Sequence, residues 1–236
     1  DIYNLLKNVS SPLYATSDIV SSPLSSAYIG ALCTISLPFK LIVTKPRIST
    51  ELADYSVFVP LLSELFKKNS YFNSLEFNNI SFEKAKPKDK IFTDSKTETQ
   101  VTSLKFMNCM MPNSFKIFLD DFRSYTGSIK TLRVAQCNFT QDSFMKFIAI
   151  LSSSPCFLHM ESIDIGDVQN DQDFNCHISQ YLNSNELRLT NSLKSVRIAN
   201  CPLDIDSILS LAALFNPSIE EIHFNDCKFL QKMIKS

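Results

Sequence analysis

A short apolar pattern that recurs along most of the chain constrains its fold more than any other feature. The clearest copy runs from Ile129 to Phe139 and reads I-x-x-L-x-V-x-x-C-x-F. Copies begin at residues 72, 101, 129, 160, 193 and 219, so successive starts are 29, 28, 31, 33 and 26 residues apart. A pattern that keeps both its internal spacing and its period is typical of stacked units, each of which buries its apolar face against its neighbours.

The units themselves predict an α/β chain in which short strands alternate with helices. Strands are predicted near residues 74–77, 103–106, 131–134, 162–165, 195–198 and 221–224. A helix is predicted over residues 56–68 with Ser56 as its cap, and further apolar helical faces lie at 115–122, 144–151, 174–182 and 208–215. Narrow strands beside wider helices predict a curved parallel sheet on the concave side and helices on the convex side.

Two regions depart from this pattern. Residues 1–50 are rich in Ser and contain Pro12 and Pro23, so we expect an irregular N-terminal cap or a worn first repeat, with 51–236 forming the array. Within the cap, Leu32, Ile35 and Leu37 fit a degraded strand core, and residues 39–43 are β-prone. Residues 83–100 are polar and lack an apolar stripe, which predicts a loop. We expect the natural protein to extend beyond this sequence.

Composition narrows the classes of function. The 236 residues carry a formal net charge of -1, and their basic residues are scattered, so a nucleic-acid partner is not expected. No apolar run approaches the roughly 18–20 residues of a membrane span, and no signal peptide opens the chain. These observations favour a cytoplasmic protein without a transmembrane segment. The sequence leaves its oligomeric state open.

Four of the seven cysteines are explained by the repeat rather than by chemistry. Cys109, Cys137, Cys201 and Cys227 occupy the same place in successive or near-successive units, where a small thiol can contact backbone groups of the turn. We expect them to be buried and reduced, although disulfide pairing between neighbouring units is geometrically possible.

Signals for catalysis and for a metal site are weak. Cys156 and His159 have C-x-x-H spacing, and Cys176 with His177 follows about twenty residues later. Adjacent residues on a helix point about 100° apart, so we favour loop and core roles over a zinc site. No motif of a hydrolase, a metalloprotease or a phosphate-binding loop is present. We therefore expect no enzymatic activity and no cofactor.

Strand alternation places three columns of side chains on the concave surface of the predicted sheet. The flanking columns are mostly small: Ser74, Ser103, Thr131, Ser162, Ser195 and Glu221 on one side, and Asn78, Met107, Ala135, Gly166, Ala199 and Asn225 on the other. The central column is charged or ionisable throughout, and its members are the candidate protein-binding residues: Glu76, Lys105, Arg133, Asp164, Arg197 and His223. The alternative is that these are solvated strand residues, with Asp164 pairing Arg133 and Arg197 within the sheet.

The six copies resemble the ribonuclease-inhibitor-like leucine-rich repeat superfamily over residues 72–229. The segment from Phe58 to Leu75 is also similar to the start of the repeats in CARMIL-type cytoskeletal scaffolds. The resemblance implies a non-enzymatic protein-protein interaction scaffold with protein partners, in a cytoskeletal or ciliary assembly. The alternative is a sensor or substrate-recognition arm of a larger receptor or enzyme.

Overall fold

The computed structural model describes residues 12–45, 51–68, 71–93, 101–170, 192–200 and 218–225. Strands make up most of the regular structure in these ranges. They are β1 Leu13–Thr16, β2 Phe39–Thr44, β3 Ala53–Asp54, β4 Phe72–Asn78, β5 Ile80–Ser81, β6 Ser103–Met107, β7 Met110–Met111, β8 Thr131–Ala135, β9 Asn138–Phe139, β10 Ser162–Gly166, β11 Gln169–Asn170, β12 Ser195–Ala199 and β13 Glu221–Asn225.

Helices separate several of these strands. They are α1 Ser17–Ser21, α2 Ser25–Cys33, α3 Val59–Lys68, α4 Phe115–Phe122 and α5 Gln141–Ser153, with short 3₁₀ turns at Tyr55–Val57 and Pro155–Phe157. The helical faces predicted over 115–122 and 144–151 correspond to α4 and α5. The helices predicted over 174–182 and 208–215 lie outside the described residues.

The main sheet has eight strands, all parallel, in the order β1-β2-β4-β6-β8-β10-β12-β13. The predicted α/β class with a parallel sheet is therefore confirmed. The strands of this sheet follow one another in chain order, and each is hydrogen-bonded to the strands before and after it in that order. A second sheet, of two-residue strands, runs beside the first in the order β11-β9-β7-β5-β3.

The inward-facing residues of the main sheet form continuous apolar rows. Leu75, Leu104 and Leu132 lie side by side, and each is about 1% exposed. A second row includes Phe77 and Phe106, whose rings stack with centroids 5.4 Å apart. Helices α3, α4 and α5 pack their apolar faces over these rows. Strand alternation and helical periodicity thus converge on a single core.

Phe118 of α4 lies within a dense aromatic part of that core. Its ring centroid is 5.4 Å from that of Phe82, 5.6 Å from that of Phe77 and 5.7 Å from that of Phe106. The neighbouring rings meet it mainly edge to face, the arrangement that aromatic quadrupoles favour. The helix is therefore fixed against β4, β6 and the residue that follows β5.

The start of the first long helix differs from the prediction. Ser56 does not cap it, because α3 begins at Val59 and Ser56 belongs to the preceding 3₁₀ turn. The Asp54 side chain caps that turn by accepting a hydrogen bond from the backbone N–H of Ser56 at 3.0 Å. Pro60 is tolerated because it lies in the first turn of α3, where its missing N–H has no intrahelical partner.

The N-terminal region is more regular than its composition predicted. β1, α1 and α2 occupy a segment that we expected to be irregular, and β1 and β2 extend the main sheet. The expected degraded strand core was wrong, since Leu32 lies in α2 and Leu37 is 52% exposed outside any element. The β-prone run over 39–43 does form a strand, β2.

Residues 83–93 form no helix or strand, as predicted, and residues 94–100 lie outside the described ranges. The loop is nevertheless part of the core. Ile91 and Phe92 are 1% and 2% exposed, and the Phe92 ring packs at a centroid distance of 4.8 Å from Phe66 and 4.9 Å from Phe122. This unit therefore covers its strands with a loop where other units use a helix.

Candidate interaction surface

The side chains of the main sheet that point away from the core lie in rows that cross the strands. The pairing register places Lys105 beside Arg133, and Arg133 beside Asp164. It continues to Arg197 on β12 and His223 on β13, and leads back to Glu76 on β4. All six candidate residues therefore share one row, which we name the central row. Neighbouring members are about 4.8 Å apart, the spacing of paired strands.

Two rows of mostly small residues flank the central row. The pairing register places Ser74, Ser103, Thr131, Ser162 and Ser195 in one of them, which we name the hydroxyl row. It places Met107, Ala135, Gly166 and Ala199 in the other, which we name the small row. The central, hydroxyl and small rows together form what we name the open face. The short side chains of the hydroxyl and small rows leave the longer side chains of the central row accessible.

Asp164 connects two arginines of the central row. Its carboxylate lies 3.2 Å from Nε of Arg133 and 3.4 Å from Nη1 of Arg197. The side chains of Arg133 and Arg197 remain 45% and 46% exposed, whereas that of Asp164 is 24% exposed. The sequence left open whether Asp164 pairs with Arg133 and Arg197 within the sheet, and the structure contains both pairs. Solvent-accessible pairs of this kind contribute only about 0–1 kcal/mol to stability, so the arginines are not committed to it.

Glu76 and Lys105 are neighbours with different surroundings. Glu76 is 8% exposed and pairs with Nζ of Lys40 at 2.5 Å, so a partner would have to displace Lys40 to reach it. Lys105 makes no ion pair or side-chain hydrogen bond with the described residues. Within the part of the chain that the structure describes, the row therefore contains a cation without an acidic partner, directly beside the exposed Arg133.

The two ends of the central row differ from its middle. His223 is exposed and lies 3.8 Å from a carboxylate oxygen of Glu221 on the same strand. At the other end the register extends the row to Ile42 and the half-exposed Tyr14. Sequence reasoning missed this apolar extension because β1 was not predicted.

A row of left-handed residues follows the main strands, and sequence reasoning missed it as well. Asn79, Asn108, Gln136, Asp167 and Asn200 have φ between 49° and 59°. Asn and Asp tolerate this conformation better than most residues, so the recurrence of Asn, Gln or Asp directly after β4, β6, β8, β10 and β12 was the available signal. The backbone N–H of each donates to a carbonyl of the next unit, for example from Gln136 to Gly166 at 3.0 Å.

The cysteines lie on the other side of these turns. Cys109 and Cys137 are 2% and 0% exposed, and their thiols contact the carbonyls of Met107 and Ala135 at 3.4 Å. Burial is the main cause that raises the pKa of Cys109 well above its usual range. Both are free cysteines in this structure, and their burial agrees with the prediction. Cys201 and Cys227 lie outside the described residues.

The proposed C-x-x-H pair does not converge on one point. Cys156 is buried, and its sulfur lies 3.3 Å from the hydroxyl of Ser154, whereas His159 is exposed. Burial raises the pKa of Cys156 to about 11, the opposite of what a nucleophilic thiolate needs. Within the described residues, no three His, Cys, Asp or Glu side chains are arranged to hold a metal ion. Cys176 and His177 are outside those residues.

Comparison with known proteins places the chain in no described group: no protein-family model and no curated protein matches it. In the part of the chain that the structure describes, every helix is too short or too polar to cross a membrane.

Proposed function

We propose that this chain is a leucine-rich repeat solenoid that acts as a non-enzymatic protein-protein interaction scaffold through its open face. Support for the solenoid comes from the sequential strand order of the main sheet and from the turn that recurs after five of its strands. Strands pair about 4.8 Å apart whereas packed helices need about 8–10 Å, so the sheet belongs on the concave side of the stack.

The observation that carries the binding proposal is the contrast between the two faces of the main sheet. From β4 to β8 the core face packs against α3, α4, α5 and the loop at 83–93, whereas Arg133, Arg197 and His223 are exposed on the open face. A parallel sheet normally has both faces covered, so an exposed face is available for a partner. Solenoids use their concave surfaces in this way.

Three thiols among the described residues are poor candidates for nucleophilic catalysis, which supports the proposed non-enzymatic role. Burial raises the pKa of Cys33, Cys109 and Cys156, and each thiol is therefore less nucleophilic than a free cysteine. The resemblance of the segment from Phe58 to Leu75 to cytoskeletal scaffolds favours a cytoplasmic partner in a cytoskeletal or ciliary assembly.

Site-specific photo-cross-linking tests this proposal. A photoreactive side chain is introduced at Thr131, which is exposed on the open face, or at Lys116, which is exposed on α4. We expect the same protein, identified by mass, to form adducts through position 131 and not through position 116. The bulky variant Ser162→Trp should abolish those adducts without lowering the melting temperature. Equal adducts from both positions would place the interface elsewhere.

A further inference from the structure

Four hydroxyls of the hydroxyl row have no hydrogen-bond partner among the described residues. The side-chain hydroxyls of Ser103, Thr131, Ser162 and Ser195 make no hydrogen bond with the described residues. Each is two residues from a member of the central row on the same strand. The hydroxyl donors of the hydroxyl row therefore run parallel to the charged side chains of the central row.

The charge of the open face is positive on balance. From β2 to β12 four cations accompany two carboxylates: Lys40, Lys105, Arg133 and Arg197 with Glu76 and Asp164. The excess is concentrated at Lys105 and Arg133, on neighbouring strands. The contact between Arg133 and Asp164 is made through Nε at 3.2 Å, and the Arg133 side chain remains 45% exposed. A guanidinium carries five N–H donors, so a partly exposed one can bind a second carboxylate as well.

Resting on the proposed use of the open face, we propose that its partner is an acidic peptide segment that crosses the strands along the channel between the hydroxyl and central rows. Its carboxylates accept hydrogen bonds from Lys105, Arg133 and the neighbouring hydroxyls of Ser103 and Thr131. Hydroxyl donors beside cations match the acceptor-only chemistry of an ionised Asp or Glu.

The order of charges distinguishes a peptide from a polyphosphate. Asp164 interrupts the cations after Arg133, and Glu76 precedes Lys105. A continuous run of phosphates would place negative charge over both carboxylates, whereas a peptide can place a neutral or basic residue there. The whole chain also has a formal net charge of -1, which does not favour a nucleic-acid footprint.

A binding assay with synthetic probes tests the proposal. The distance from β6 to β12 is three strand spacings, about 14 Å, which about four to five extended residues span. The probe is a fluorescent Glu-rich peptide of about twice that length, compared with its Gln isostere and with a single-stranded RNA. We expect the full chain to bind the Glu peptide at low salt and to bind the Gln peptide and the RNA at least tenfold more weakly.

Two variants locate the binding. Lys105→Gln with Arg133→Gln should weaken binding of the Glu peptide about tenfold. The control, Lys88→Gln with Lys116→Gln, removes the same charge from exposed residues off the open face and should leave binding unchanged. Thr131→Val keeps the shape of its side chain but loses a hydroxyl, and should weaken binding about threefold with an unchanged melting temperature.

Equal binding of the Glu and Gln peptides, or tighter binding of the RNA, would overturn the proposal. So would an equal effect of the two double variants. If adducts still formed through position 131 and not through position 116, the open face would remain a protein-binding surface, but its partner would not be acidic. Loss of those adducts as well would remove the proposed function itself.

Discussion

At the scale of single residues, the side of the strand on which a residue lies decides its role. Leu132 and Thr131 are adjacent on β8, yet Leu132 is about 1% exposed in the core and Thr131 is exposed on the open face. The same alternation separates Leu104 from Lys105 on β6. Substitutions at neighbouring positions should therefore have very different consequences.

Leu132→Asp should destabilise the protein by at least about 3 kcal/mol, because it creates a cavity and buries a carboxylate without a partner. That is a large share of the roughly 5–15 kcal/mol that stabilises a domain. Thr131→Asp is the matched control on the same strand, and its midpoint should change little. Thermal unfolding of both variants checks the register, and equal midpoints would show that it is wrong.

The thiols of Cys109 and Cys137 should resist alkylation in the native protein, because both are buried. The half-buried Cys33 should react first. Labelling followed by peptide mass analysis identifies the modified positions, and denaturant should release both buried thiols. Rapid native labelling of Cys109 or Cys137 would contradict their placement in the core.

The raised pKa of Cys109 also predicts a pH dependence. Above the ordinary thiol pKa of about 8.5, the unfolded chain loses the proton that the folded chain keeps. The unfolded state then binds fewer protons, so the free energy of unfolding falls as the pH rises. Denaturant unfolding from pH 7 to pH 10 should show this fall, and Cys109→Ala should reduce it.

At the scale of elements, the loop at 83–93 is held in place by a helix. The buried carboxylate of Asp121 on α4 accepts hydrogen bonds from the backbone N–H groups of Ile91, Phe92 and Thr93 at 2.5, 3.0 and 3.1 Å. The Thr93 hydroxyl donates to it as well, at 2.5 Å. Four donors on one carboxylate explain how a polar loop replaces a helix over the core.

Asp121→Asn should lower the free energy of unfolding by about 2 kcal/mol, since hydrogen bonds to a charged acceptor are lost and an amide donor faces backbone donors. The adjacent Asp120→Asn is the control, because Asp120 is exposed and pairs only with Lys146 among the described residues. Hydrogen exchange of residues 91–93 should accelerate in the Asp121 variant alone. Unaltered exchange would show that the carboxylate does not hold the loop.

The left-handed turns are the second recurring element. Gln136 has a φ of 56°, which a β-branched side chain tolerates poorly. Gln136→Val should therefore cost about 1–2 kcal/mol, whereas Thr131→Val at an extended position should cost almost nothing. Chemical denaturation of the two variants measures the difference, and equal stabilities would argue against the turn conformation.

Periodicity explains which elements the sequence could predict. Strands such as β8 and helices such as α4 carry several apolar residues at regular spacing, so their residues alone indicate them. β1 has four residues and the strands of the second sheet have two, which is too short for a period to be recognised. The loop at 83–93 depends on Asp121, about thirty residues away, so no local pattern reveals it.

The position of the candidate surface could be predicted from the sequence, but the ion pairs between its side chains could not. Alternation placed Lys105, Arg133 and Asp164 in one row, and the pairing register agrees. The partner of Glu76 was missed, because Lys40 belongs to a strand that was predicted without its register. Which cation remains free depends on distances between side chains, and a sequence pattern carries no such distances.

At the scale of the whole molecule, the open face depends on units that stack in chain order. The main sheet then places its rows across consecutive strands, and the open face exists only if those rows are continuous. A disordered or reordered stack would scatter Lys105, Arg133 and the hydroxyls. The open face could then bind neither a protein partner in general nor an acidic segment in particular.

A distance across the hydroxyl row tests this claim most directly. Spin labels on unnatural side chains at positions 74 and 195 lie on β4 and β12, which are four strand spacings apart. Pulsed electron-spin resonance should find one narrow distance near 19 Å, allowing for the label linkers. A distance beyond about 30 Å, or several separate distances, would contradict the continuous sheet from which the binding surface follows.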